Sequence, residues 1–213
     1  MNFAQQLAKI SLEIGAIKIN PKEPFTWASG YRMPLYNDNR MLLGNADHRH
    51  LIAEAMKAIL EKVGARIDAV AGVATAGIPH ATSLANLLKR PLIYVRSSPK
   101  DHGLKNQVEG ILKPGQAVVV VEDLISTGGS AIKAIEAVRE AQGVVDHCLG
   151  IFSYDFPEAK DRFKKSQCQL HTILTLDSLL EFAMDQGLIA SEDKMVVDNW
   201  TQNPFEWGRQ QGF

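Results

Sequence analysis

Two adjacent carboxylates, Glu122 and Asp123, follow four valines, Val118-Val119-Val120-Val121, and precede Leu124-Ile125-Ser126-Thr127-Gly128-Gly129-Ser130. The valine run reads as a strand buried on both faces, and open α/β sheets bind ligands outside the carboxyl ends of such strands. Both acids are therefore expected to be exposed there. Residues 126–130 bring two glycines and three hydroxyls to the start of a helix marked by the apolar stripe Ile132, Ile135, Ala137 and Val138. At a helix amino terminus, free backbone N–H groups and the helix dipole attract a phosphate. Acids facing that phosphate would repel it, so they are expected to accept hydrogen bonds from sugar hydroxyls or to ligate a hydrated Mg2+. A ribose phosphate satisfies both halves. An ordinary capped strand-turn-helix would explain the serines and glycines but not two acids after a buried run.

The segment has neither the Gly-x-x-x-x-Gly-Lys-Ser/Thr spacing of a P-loop nor the Gly-x-Gly-x-x-Gly spacing of a dinucleotide fold, which disfavours an ATPase or a dehydrogenase. Thr75-Ala76-Gly77, after the short run 68–73, offers backbone N–H groups to a pyrophosphate or is simply a tight strand-helix turn. His48 and His50 form a His-x-His pair beside Asp47, but i and i+2 on a helix face apart, and no other Cys or His cluster completes a tetrahedral set.

The elements that must position these groups follow from periodicity. Phe3, Leu7, Ile10 and Ile14 make an amphipathic first helix, and Leu51, Ile52, Ala55, Met56, Ile59, Leu60 and Val63 make another. Strands at 68–73, 91–95, 117–121, 144–152 and 170–174 alternate with helices at 79–88, 130–141 and 157–165. The pattern predicts an α/β fold with a mostly parallel central sheet and helices on both faces. Residues 19–40, rich in proline and aromatics, predict short irregular strands in a small N-terminal hood formed by residues 1–45, and Phe25, Trp27, Tyr31 and Tyr36 are expected to pack it. The polar stretch 96–116 is longer than ordinary connections and is expected to be a mobile functional loop. Two further amphipathic helices close the fold after Leu176.

Composition narrows the class. The 213 residues suit a single domain, and 46% hydrophobic with 22% charged residues are globular values. Lys plus Arg (23) nearly balances Asp plus Glu (24), a net charge of -1, so no global field holds nucleic acid or an anionic membrane. Cys148 and Cys168 lack nearby partners and suit buried thiols in a reducing compartment. No stretch approaches the ~18 apolar residues of a membrane span. Residues 1–19, interrupted by Lys9, Glu13 and Lys18, lack the features of a signal peptide. A cytoplasmic protein is expected.

Residues 118–130 resemble the phosphoribosyl diphosphate (PRPP) motif of type I phosphoribosyltransferases: four apolar residues, two acids, then a hydroxyl- and glycine-rich loop. Three further stretches resemble the orotate phosphoribosyltransferase family. They are Phe25-Thr26-Trp27-Ala28-Ser29-Gly30 with Pro34 and residues 36–40; Gly72-Val73-Ala74-Thr75-Ala76-Gly77-Ile78-Pro79; and Tyr94-Val95-Arg96 leading to Lys100-Asp101-His102-Gly103 and residues 106–110. The resemblance spans most of residues 1–155 in order. It implies the type I phosphoribosyltransferase fold and, with Mg2+, transfer of a 5-phosphoribosyl group from PRPP to N1 of orotate in pyrimidine (UMP) biosynthesis. By that likeness, Glu122 and Asp123 hold the ribose hydroxyls. Leu124, Ile125, Ser126, Thr127, Gly128, Gly129 and Ser130 hold the 5′-phosphate, and Ser126 also approaches orotate. Arg96, Lys100 and His102 grip the pyrophosphate, while Lys100, His102 and Asp123 are catalytic. Mg2+ is held mainly by PRPP and water, without a dedicated protein site. A homodimer is implied, with the loop within 96–116 closing over the neighbouring subunit's site.

This sequence departs from the pattern where Ser97 and Ser98 replace a second loop lysine, where Ala28 and Ala76 replace lysines of one branch, and at Tyr154, near a branch arginine. A PRPP-sensing regulator on the same fold is the competing class. The loop lysine and histidine favour the enzyme, because a sensor need not stabilise departing pyrophosphate. A purine phosphoribosyltransferase is the runner-up among enzymes.

Overall fold

In the computed structural model, which describes residues 1–27, 30–98 and 107–212, the apolar periodicities become helices and strands close to their expected places. In chain order these are α1 (Phe3–Glu13), β1 (Ile17–Ile19), β2 (Phe25–Thr26), β3 (Arg32–Met33), β4 (Leu35–Asn37) and a 3-10 helix (Asn39–Gly44). There follow α2 (Ala46–Lys62), β5 (Ala69–Val73), α3 (Gly77–Leu88), β6 (Leu92–Val95), β7 (Val108–Glu109), β8 (Ala117–Ile125), α4 (Gly129–Glu140), β9 (Val144–Ser153), α5 (Pro157–Lys165) and β10 (Gln169–Thr175). The chain ends with α6 (Leu176–Asp185), α7 (Ser191–Gln202) and α8 (Trp207–Gln210). It divides into two compact units, Asn45–Ile173, and Met1–Gly44 with Leu174–Phe213.

The first unit is built on a six-stranded sheet of order β10-β9-β8-β5-β6-β7. The neighbours β9, β8, β5 and β6 run parallel, as strands joined by helical crossovers do. Val108 and Glu109, inside the stretch read as loop, pair antiparallel with β6 as an edge strand. Alternation along the strands sends Ala69, Ala71, Val73, Val118 and Val120 into one apolar cluster with Ala134, Ile135 and Val138 of α4 and Phe163 of α5. The other face carries α3. A Cβ on Gly72 would lie 2.7 Å from the Cα of Ile78, so this glycine lets α3 sit directly on the sheet. Cys148 and Cys168 are free and buried, and burial pushes the Cys168 thiol up to about 12.

In the other unit the two chain ends fold together. The capping box of Asn2 and Gln5 starts α1, which buries Leu7 and Ala8. Two short antiparallel ribbons, β1 with β4 and β2 with β3, form the irregular strands expected of residues 19–40. The fully buried Trp200 of α7 donates its indole N–H to Met33 Sδ at 3.0 Å and stacks edge-on with Trp27 at 6.5 Å. Tyr31 meets Phe205 at 5.3 Å, so the aromatics of the N-terminal segment pack against the chain's own C-terminal helices.

Candidate active site

Within the Asn45–Ile173 unit, the described residues that line the candidate site lie at or after the carboxyl ends of β5, β6 and β8. The first turn follows β5, where the Ala74–Thr75 peptide is cis and α3 begins at Gly77. A Cβ on Gly77 would fall 2.5 Å from the carbonyl oxygen of Val121 and 3.3 Å from the Cα of Glu122. The missing side chain therefore lets this turn lie against the strand end that bears the two acids.

β8 does not stop at Val121 but continues to Ile125, which places both acids within the strand and on opposite faces. Glu122 shares the parity of Val118 and Val120 and lies on the α4 side, where it is 7% exposed. Asp123 is half-buried and has the opposite parity. The expectation that both acids are exposed is thus corrected: Glu122 is buried and Asp123 is half-buried, on opposite faces of the strand. Glu122 Oε1 accepts the backbone N–H of Asp123 at 3.1 Å. Burial, and then the neighbouring Asp123, push the Glu122 carboxyl up to about 9.

That shift has a consequence for stability. The folded state holds a proton on Glu122 that the unfolded chain releases above its ordinary range, so stability falls as pH rises from about 4.5 towards about 9. Buried His80, held down at about 4 by burial and Arg49, acts in the opposite sense at acid pH, and so does His171. Between roughly pH 6.5 and 9 the melting temperature of the wild type is expected to fall more steeply than that of Glu122→Gln. Parallel slopes in a thermal-shift series would contradict this.

The third turn is the glycine- and hydroxyl-rich loop after β8, which the sequence marks as a phosphate-binding candidate. Gly128 takes a left-handed φ of 78° as the N-cap of α4, a conformation side chains disfavour, and no side chain caps the helix. Its first-turn N–H groups therefore have no side-chain cap to satisfy them. A concavity of about 270 Å³ lies over this loop, lined by Glu122, residues 124–131 and Lys133. The structure thus brings Glu122, Leu124, Ile125, Ser126, Thr127, Gly128, Gly129 and Ser130 to one site, while Asp123 is not among the lining residues. A second cavity of about 160 Å³ is lined by Ala74, Arg96, Ser97, Gln107, Ser130 and Lys133, among others.

Arg96 is anchored at the base of the stretch that follows β6. Its N–H donates to the Gln107 carbonyl at 3.0 Å, the Gln107 amide donates back to the Arg96 carbonyl at 2.7 Å, and its Nη1 lies 3.6 Å from Glu109 Oε1. Lys100 and His102 lie outside the described residues. Tyr154 is buried, stacked on Phe156 at 5.2 Å and edge-on to Phe152 at 5.1 Å.

Sequence reasoning missed two cations here, Lys133 and Arg162. The Arg162 Nη1 lies 3.9 Å from where a Cβ on Gly129 would stand. Lys133 lies three residues after Ser130, on the same helix face, and that spacing is the signal that could have revealed it. The oxygen groups at this end of the sheet, the acids Glu122 and Asp123 and three hydroxyls, are of the type that holds a hard cation through its waters. Among the described residues no three His, Cys, Asp or Glu side chains group as a metal centre.

Residues 41–151, which contain all three turns, match the phosphoribosyl transferase domain. Over 98% of its length the chain is 44% identical to the whole of an orotate phosphoribosyltransferase of Listeria monocytogenes. The chain belongs to the orotate phosphoribosyltransferase family. Among solved structures, orotate phosphoribosyltransferase from Aeropyrum pernix superposes with a TM-score of 0.74 at 34% identity, covering 86% of this chain and 99% of that one. Leishmania donovani UMP synthase superposes with a TM-score of 0.77 at 28% identity over 93% of this chain, which spans 42% of that longer protein.

Proposed function

We propose that this chain transfers the 5-phosphoribosyl group of PRPP to N1 of orotate, yielding orotidine 5′-monophosphate and pyrophosphate, in the pyrimidine route to UMP. The observation that carries this reading is the uncapped phosphate loop at the end of β8, in a chain 44% identical to a family member over nearly its full length. The N–H groups of 126–130 take the 5′-phosphate, and the carboxyl groups of Glu122 and Asp123 take the ribose hydroxyls. As the C1′–O bond breaks, its electron pair leaves with pyrophosphate and positive charge develops on the ribose, while N1 of orotate forms the new bond. Cations held on the leaving group lower that barrier, a task that suits Arg96, Lys100 and His102. Ser126, within the loop, is the residue assigned to orotate. Mg2+, if bound with the diphosphate, would supply further positive charge to the leaving group, and the acids of β8 would hold its waters.

Residues 1–213 are read as a single phosphoribosyltransferase domain, with residues 1–45 contributing the hood. The enzyme acts in the cytoplasm as a homodimer, the loop within 96–116 closing over the neighbouring subunit's site. Support for the dimer and the closing loop comes from the family motif at residues 94–110. Among the described residues no helix is long and apolar enough to cross a membrane.

Loss of orotate absorbance with purified protein, PRPP and Mg2+ tests the reaction. Consumption that needs all components supports it, whereas bound PRPP with orotate and purine bases both inert would move the protein to the sensor class. Lys100→Ala is expected to lower turnover about 10²–10³-fold while changing stability by less than about 0.5 kcal/mol. Comparable losses in both would remove Lys100 from the chemistry.

A further inference from the structure

We propose that Phe163 of α5 is a positioning residue for the loop at 126–130, holding Gly128 in the conformation that turns the loop's N–H groups towards the 5′-phosphate. The proposal rests on the PRPP reading above. Gly128 sits at φ 78° and ψ 1°, and glycine adopts positive and negative φ about equally, so nothing in its own covalent structure keeps it there. Its carbonyl accepts the N–H of Ile132 at 3.0 Å, which constrains the peptide leading into α4. The other side of Gly128 faces α5. A Cβ at this position would meet two ring carbons of Phe163 at 3.2 and 3.6 Å and the Cα of Ala159 at 3.7 Å. The ring thus fills the space beside the glycine where a side chain would stand. With that space filled the turn cannot relax towards α5, and its N–H groups are fixed before the anion arrives, which spares the cost of ordering them at binding.

The composition of α5 points the same way. Of its nine residues only Ala159 and Phe163 are buried, one helical turn apart, and these are the two that reach Gly128. A helix that served only to cover the sheet would bury a wider stripe. Phe163 belongs to the same apolar cluster as Ile125, which ends β8, and Ala131, in the first turn of α4, so that cluster flanks the loop on both sides in sequence. Beyond the loop, Arg139 in the last turn of α4 donates to the carbonyl oxygen of Ser166, the C-cap of α5, at 2.6 Å. The two helices are therefore tied at one end by a hydrogen bond and at the other by the Phe163 ring against Gly128.

The test compares calorimetric binding of ribose 5-phosphate and of inorganic pyrophosphate with Mg2+, together with steady-state kinetics and melting temperature, in the wild type, Phe163→Ala, Phe163→Leu and Val145→Ala. Val145 lies in the same apolar cluster at the start of β9, so its truncation lowers the melting temperature without touching the loop and serves as the control. Phe163→Ala is expected to weaken ribose 5-phosphate about tenfold and to raise the PRPP KM in step, with pyrophosphate changed less than about twofold and kcat held within about threefold. Phe163→Leu keeps the cluster filled but lacks the ring edge nearest Gly128; it should weaken ribose 5-phosphate about threefold and carries the test if the alanine variant does not fold. Val145→Ala should bind both ligands as the wild type does. Unchanged ribose 5-phosphate affinity in Phe163→Leu, equal weakening of both ligands, or the same ribose 5-phosphate loss in Val145→Ala overturns the assignment, as does a wild type that binds no ribose 5-phosphate. A wild type that binds ribose 5-phosphate with the expected dependence on Phe163 yet consumes no orotate would overturn the orotate reading and leave this assignment standing.

Discussion

Asp123→Asn is expected to lower kcat about 10²–10³-fold, whereas Glu122→Gln, one residue away, should cost less than about tenfold. The asymmetry comes from the strand. Opposite parity sends Glu122 under α4, where burial and its neighbour favour the protonated form near neutral pH, while Asp123 stays half-buried on the other side. Glutamine replaces a carboxyl group whose burial favours the neutral form with a neutral amide of similar shape. Asparagine removes the negative charge that would oppose the positive charge developing on the ribose. Steady-state kinetics of the two variants at pH 7.5, with unfolding followed in parallel, decide the matter. Equal losses in kcat would mean that burial does not divide the roles of the pair.

The second large effect is structural in origin. Gly77→Ala is expected to destabilise the fold by about 2–3 kcal/mol, a fall of roughly 6–10 °C in melting temperature, and to abolish tight PRPP binding. The added methyl would sit 2.5 Å from the Val121 carbonyl oxygen, and both the strand and the helix start are backbone, so neither yields cheaply. Relief requires α3 to move off β8, which displaces the 74–76 turn from the carboxylates. Gly44→Ala, where a Cβ meets nothing within 4 Å, is the matched control and should change stability by less than about 0.5 kcal/mol. If Gly77→Ala melted with its control, the close approach would not be a requirement of the fold.

Much of this was legible in local sequence. Periods near two and near 3.6 are properties of consecutive residues, so the five strands and three helices read from 68–174 appear within a few residues of their expected bounds. The start of α4 was legible for a similar reason: glycines and hydroxyls before an apolar stripe specify a helix start, and a helix start specifies exposed N–H groups. Less legible was the end of β8. The valines mark its buried core, but a strand that carries on through two acids to Ile125 is held by its neighbour β9, whose Gly150 lies opposite Glu122. In the same way the polar stretch after Arg96 hid β7, because a two-residue edge strand has no period of its own and exists only by pairing with β6.

By itself the sequence determined the α/β alternation, the glycine- and hydroxyl-rich helix start at the end of a buried strand, and the family. Each of these is written in runs of neighbouring residues. Tertiary structure alone decided that Glu122 is buried while Asp123 is not, that Lys133 shares a cavity with Arg96, and that Trp200 bonds to Met33 across 167 positions of chain. Burial and proximity of this kind depend on which surfaces pack together, and a local pattern states that a face is apolar without naming the face that will cover it.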